Sequence, residues 1–206
     1  VLAQAAAMAG RPGIVAVDPL TGPAATDPAG YDDSVRSEFY ANLERAGVAG
    51  QVEFHEEFSQ QLAEGWTRPL RMLWIDGDHS YHGALSDFEL FGPHLGEGAF
   101  VAFHDTLSPC EGPIRVFMEK VLLSSDFGPA GLCGSIAWAQ RSSHGRRVAS
   151  FEQQRLSLYR RLAPMVRYVA FDRQPIGLAK LCYKLLRSFV PHQEPTPERW
   201  LAMLKG

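Results

Sequence analysis

Two short stretches hold most of the side chains in this 206-residue chain that could do chemistry. Asp76-Gly77-Asp78-His79-Ser80-Tyr81 follows the apolar run Leu70 to Ile75, and His104-Asp105-Thr106 follows Ala99 to Phe103. Carboxylates and imidazoles grouped in this way can exchange protons, bind ligands or, as in phosphoester hydrolysis, work with a metal. For any of these the two turns must meet, and the intervening residues supply the means. Gly83 to Phe91 has helical spacing, with Leu85, Phe88 and Leu90 or Phe91 apolar and Ser86, Asp87 and Glu89 polar. A strand, a crossover helix and a second strand pair in parallel, so both turns fall at one sheet edge. Ligands of open α/β sheets bind outside the carboxyl ends of the strands, where Asp76, Asp78, His79, His104 and Asp105 are expected to converge.

The rest of the chain predicts a larger unit of the same kind. Val1 to Met8 reads as an Ala-rich helix, Ile14 to Val17 as a strand ending at Asp18-Pro19, and residues 19 to 34 as a loop rich in Pro and Gly. A helix from Ser34 presents Val35, Phe39 and Leu43 and closes at Gly47; Val52 to Phe54 follows as a strand, then Gln60 to Glu64 as a short helix. After Asp105 come a loop, Leu107 to Pro113, a helix from Ile114 to Leu123 and one or two closing strands within Gly131 to Gln140. This alternation predicts an α/β fold, a doubly wound, mostly parallel Rossmann-like sheet over residues 1–140. A chain that opens in a helix before a parallel-type strand predicts a first strand, with its glycine-rich turn, ahead of Val1. Residues 141–206 read as a helical C-terminal extension, with helices over Phe151 to Leu162, Ile176 to Phe189 and Glu198 to Leu204.

Composition narrows the class. With 46% hydrophobic and 21% charged residues the chain has the makings of an ordinary globular core, and no apolar run is long enough to predict a membrane span. Cys110, Cys133 and Cys182 have neither disulfide nor ligand spacing, which predicts structural thiols in a reducing, cytoplasmic compartment. The net charge is −3, but residues 1–140 carry 7 Lys+Arg against 19 Asp+Glu, and residues 141–206 carry 13 against 4. The basic tail is expected to dock on its own acidic domain or to meet another acidic surface, and no nucleic acid is expected as a partner.

The order of Ala16-Val17-Asp18, Arg45-Ala46-Gly47-Val48 and Val52 to Ser59 resembles class I S-adenosylmethionine-dependent methyltransferases. Trp74 to Tyr81, Phe88-Glu89-Leu90 and Ala102 to Thr106 are similar to the branch containing macrocin-type sugar O-methyltransferases and cephalosporin-hydroxylase-associated proteins. The resemblance implies transfer of a methyl group to a hydroxyl of a sugar or glycosylated natural product. It implies Asp18 as the ribose anchor, with Glu57, Phe58 and Ser59 bordering the adenine, Asp76 beside the cofactor, and S-adenosylmethionine as that cofactor. It further implies Asp76 and Asp105 as ligands of magnesium or another divalent cation, and His79 as the base. His104 departs from the branch, where an acid is frequent; imidazole suits zinc, iron or manganese better than magnesium. The bland readings are a turn-forming Asp18 before Pro19 and surface turn residues at Glu57 to Ser59.

On the expected helix from Ile176 to Phe189, Lys180, Lys184 and Arg187 form one stripe and Leu178, Leu181, Leu185 and Phe189 another. A helix packed on the domain with a solvated side is the first expectation. An interfacial helix near anionic lipid, a peripheral membrane contact, is the second, and homo-oligomer contacts are the third. Two other functions stand beside the transferase: a non-catalytic methyltransferase-like binding module lacking the glycine-rich turn, and a metal-dependent hydrolase, for which residues 114 to 140 offer no further His or Asn ligands.

Overall fold

The computed structural model of the chain describes residues 1–10, 13–20 and 33–205. Of the loop expected over residues 19 to 34, residues 21–32 lie outside those described. The chain parts into two compact units, Val1–Trp66 and Thr67–Gly206.

In the first unit, helix α1 (Leu2–Met8) precedes strand β1 (Ile14–Val17), and α2 (Asp33–Arg45) leads to β2 (Val52–His55) and α3 (Ser59–Ala63). The two strands are parallel, in a register that runs from Ile14 opposite Val52 to Val17 opposite His55. Helix α2 ends as its sequence dictates. Gly47 turns to φ +65°, its N–H donates to the Glu44 carbonyl and that of Val48 to Leu43, the paired closure that a glycine makes cheap.

The second unit holds β3 (Leu70–Ile75), α4 (Tyr81–Phe91), β4 (Leu95–Phe103), α5 (Glu111–Val116), β5 (Phe127–Cys133) and β6 (Ile136–Arg141), followed by α6 (Gly145–Ser150), α7 (Glu152–Val166), α8 (Gly177–Ser188) and α9 (Pro197–Lys205). Its sheet runs in the order β3-β4-β6-β5, with β3 and β4 parallel and the β5–β6 hairpin antiparallel. The α/β class expected from the sequence is therefore what the chain adopts, with its closing strands antiparallel.

Two of the boundaries that differ from expectation do so for plain physical reasons. Strand β4 begins at Leu95, not Ala99, because Gly96-Glu97-Gly98 forms a bulge between the Leu70–Leu95 and Met72–Phe100 pairs. Gly98 takes φ +75° there. Helix α5 begins at Glu111, ahead of Pro113, since a proline in the first helical turn gives up an N–H that has no intrahelical acceptor.

The core of this unit is built on Val101 and Phe103 of β4, Phe117 and Val121 after α5, and Leu162 of α7, all with no exposed surface. Burying each such side chain contributes roughly 1.5–3 kcal/mol. The helices expected as an extension lend Leu158, Leu162, Met165, Tyr183 and Val190 to this same core. Arg155 of α7 is buried too, and its guanidinium donates to the carbonyls of Leu122, Phe127, Gly128 and Val148. Burial lowers its pKa.

Helix α8 packs on the unit, but not through the stripe of Leu178, Leu181 and Leu185. Tyr183, Leu186 and Val190 face the core, and the Tyr183 hydroxyl donates to the Ser108 carbonyl at 2.8 Å. Leu178, Leu181, Leu185 and Phe189 are left 75%, 64%, 58% and 64% exposed. The face whose tyrosine reaches a part-buried carbonyl packs inward, and the more apolar one stays outside.

Candidate active site

Strands β3 and β4 finish level, Ile75 opposite Phe103, and the His104 N–H donates to the Ile75 carbonyl, so the ladder runs one residue past the end of β4. Asp76 and His104 consequently leave the sheet side by side. The turn after Asp76 is fixed by Asp78, whose carboxylate accepts from the Ser80 N–H and hydroxyl, while Ser80 Oγ accepts from the Gly83 N–H as the N-cap of α4. Asp78 thus holds the turn. Asp105 stands at φ +52°, an unusual conformation for a residue with a side chain, and is held there by the Ser108 hydroxyl on Oδ1 at 2.8 Å.

Four side chains meet at this edge. His104 Nδ1 lies 2.9 Å from Asp76 Oδ1 and 3.5 Å from Asp105 Oδ2; His79 Nε2 lies 3.6 Å from Asp76 Oδ1 and 4.0 Å from Asp105 Oδ2. Neither imidazole nitrogen makes a hydrogen bond among the described residues, although both atoms are shut off from solvent. The 2.9 Å approach of His104 lacks the alignment of a hydrogen bond. Asp76 and Asp105 pull on His79 together: the contact with Asp76, then Cys110, pushes its pKa up to about 10. Burial acts to raise the pKa of Asp76, but His79 and the charge of His104 outweigh it, and the net effect is a lowered pKa.

Donors and acceptors that approach one another without bonding are arranged as ligands of a shared cation would be. One ligand atom each from Asp76, His79 and His104 lies within 4.8 Å of the others, and two imidazoles with a carboxylate suit a transition metal better than magnesium. The residues present therefore fit a divalent cation. They also bring His79, expected as the base, into the potential ligand set.

In the first unit, Asp18 follows Val17 and its N–H donates to the His55 carbonyl, so Asp18 and the turn after His55 share the carboxyl edge of β1 and β2. Asp18 Oδ1 accepts from the Leu20 N–H at 2.7 Å, the turn-forming role. Glu57 bonds the His55 ring, the Phe58 ring is 55% exposed, and Ser59 opens α3.

Sequence reasoning passed over two residues. Ser108 orients Asp105, and Gly112 donates its N–H to the His79 carbonyl at 2.9 Å. A Cβ on Gly112 would stand 2.2 Å from the Ser80 carbonyl oxygen. Only the close approach of α5 to the turn exposes these roles, and a loop sequence carries no sign of it.

A family model described as a methyltransferase domain matches residues 1–106, from α1 through the His104-Asp105 turn. The chain belongs to that family. Among solved structures, a cofactor-bound protein of this fold, Rv0187 from MTB, is similar at 16% identity over 69% of this chain and 78% of that one, with a TM-score of 0.50. An O-methyltransferase from Bacillus cereus in complex with SAH matches at 16% identity over 68% and 79%, TM-score 0.46. The O-methyltransferase TomG from Streptomyces achromogenes, involved in tomaymycin synthesis and crystallised with SAM, matches at 18% over 69% and 78%, TM-score 0.47. At such identities the likeness is one of fold. The methyltransferase-domain match takes in both polar edges, Asp18 with Glu57 to Ser59, and Asp76 with His79, His104 and Asp105.

Proposed function

We propose that this methyltransferase-domain chain is an S-adenosylmethionine-dependent O-methyltransferase acting on a hydroxyl of a sugar or glycosylated natural product, with a divalent cation at the β3–β4 edge. The observation that carries the reading is the cluster of Asp76, His79, His104 and Asp105, with two shielded imidazole nitrogens that have no hydrogen-bond partner among the described residues. The similarity to O-methyltransferases whose structures hold SAM or SAH supports the cofactor.

The reaction forms a bond between the acceptor oxygen and the methyl carbon and breaks the carbon–sulfur bond, so the sulfonium leaves as a neutral thioether. The hydroxyl must lose its proton and lie in line with the methyl group. A divalent cation, when bound, supplies positive charge beside the developing alkoxide. Asp76, His104 and Asp105 would hold it. With those carboxylates holding a cation, their charge would no longer favour the proton on His79, and its neutral imidazole would accept the hydroxyl proton. Asp18 has one carboxylate oxygen beyond its turn bond for a ribose hydroxyl, and the exposed Phe58 ring, with Glu57 and Ser59 at its border, suits an adenine face.

Isothermal titration of S-adenosylhomocysteine into the chain, with and without Mn2+ or Mg2+, tests this reading. Saturable binding, lost in Asp18→Ala and strengthened by the metal, is the expected result. Absence of binding both by this chain and by one extended upstream would overturn it in favour of a non-catalytic module.

A further inference from the structure

Helix α8 presents three sectors around its axis. Tyr183, Leu186 and Val190 are turned to the core. Leu178, Leu181 and Leu185, spaced i, i+3 and i+7, form an outward row that Phe189 continues, and Ile176 just before the helix and Phe171 are 81% and 84% exposed. Lys180, Lys184 and Arg187 form the third sector, and residues 173–189 contain four basic residues and no acidic one. Among the described residues no carboxylate pairs with those three cations. A soluble monomer rarely shows water a contiguous apolar row of this size.

We propose that this face of α8 seats on an anionic lipid surface, with the leucines, Ile176 and the phenylalanines in the boundary between headgroups and acyl chains and the three cations on lipid phosphates. Charge decides between occupants. A two-fold contact with a second copy through this face would bring two identical cationic stripes together with no acid in the segment to answer them, and like charges so placed oppose association. An anionic bilayer answers both sectors at once: it takes the apolar row, and the long Lys and Arg stems let the charges reach up to the headgroups. The seating is peripheral, since no helix among the described residues is long and apolar enough to cross a membrane. It also bears on the candidate site, because Tyr183 on the inner face of α8 bonds Ser108, which holds Asp105.

Flotation of the full chain with large unilamellar vesicles tests the proposal, using phosphatidylcholine alone and phosphatidylcholine with a quarter phosphatidylglycerol. Binding should be strong to the anionic vesicles and weak to the neutral ones. Each cation removed should cost about five-fold in partitioning, so K180Q/K184Q/R187Q should lose on the order of 100-fold. Leu181→Glu with Leu185→Glu should abolish flotation while leaving the circular dichroism and melting temperature unchanged, since both side chains are exposed. In Leu185→Trp, the new tryptophan's emission should shift to the blue on anionic vesicles only. Equal binding to both vesicle types, or none, overturns the proposal. So does a dimer, seen by light scattering, that the double Glu variant dissolves, for the face would then belong to a second copy.

Discussion

Strand β4 carries a carboxylate–imidazole cluster at each end, and the two are wired differently. At its start, Glu97 projects from the glycine bulge and accepts from the Ser143 N–H at 2.6 Å, the Ser143 and Ser142 hydroxyls and His144 Nδ1. Every oxygen is answered, and the Ser143 N–H first among these donors holds the carboxyl pKa down to about 2. At the far end of the same strand, His104 and Asp105 meet Asp76 and His79 with nitrogens that bond nothing in the described chain. A closed cluster of this sort pins a loop to a strand. An open one spends stability unless something from outside completes it, which is why the second end, and not the first, is the candidate for chemistry.

The largest effect is expected where the open cluster is broken. Asp76→Ala should weaken Mn2+ binding by at least about 100-fold, beyond the 10–100-fold usual for an outer-shell change, and abolish methyl transfer. Its unfolding free energy in the metal-free chain should fall as well, because the carboxylate accepts from the Trp74 indole and keeps the proton on His79. Calorimetric Mn2+ titration beside urea unfolding checks both halves. Gly112→Ala should blur the contrast by costing stability and the site together, roughly 1–3 kcal/mol in urea unfolding, as the new methyl displaces the Ser80 carbonyl.

Protonation sharpens the comparison. In the metal-free chain His79 should titrate near 10 by NMR, and Asp76→Asn should return it toward 6.5. A raised folded-state pKa means that His79 contributes stability in full below pH 6.5 and loses it as the pH climbs through about 10. Glu97 has the opposite sign: its contribution is complete above pH 4.5 and is lost as the pH falls through about 2. Glu97→Gln should therefore flatten the acid limb of the stability curve, with no effect on Mn2+ affinity; a loss of cation binding there would erase the distinction between the two ends.

The pairing that makes the site was legible because its signals are local. The apolar runs at Leu70 to Ile75 and Ala99 to Phe103, the helical spacing between them and the acids at their ends all lie in one continuous stretch, residues 70–105. The first four residues of β4 were not, since Gly-Glu-Gly disfavours a strand and is tolerated only in a bulge whose carboxylate is captured by residues 142–144. The outward leucines of α8 defeat pattern reading for a related reason: periodicity finds an apolar stripe, but which stripe is buried depends on a carbonyl 75 residues away. Asp105's positive φ and the parts played by Ser108 and Gly112 are likewise products of contact, invisible in composition.

The bond from Tyr183 to Ser108 also orders events in time. Ser108 precedes its partner by 75 residues, so at synthesis rates of about 5–20 residues per second the Asp105 turn waits roughly 4–15 s before the tyrosine that latches it has been made. During that interval the β3–β4 edge can already form, but its Asp105 turn lacks the outer tether that α8 supplies to Ser108.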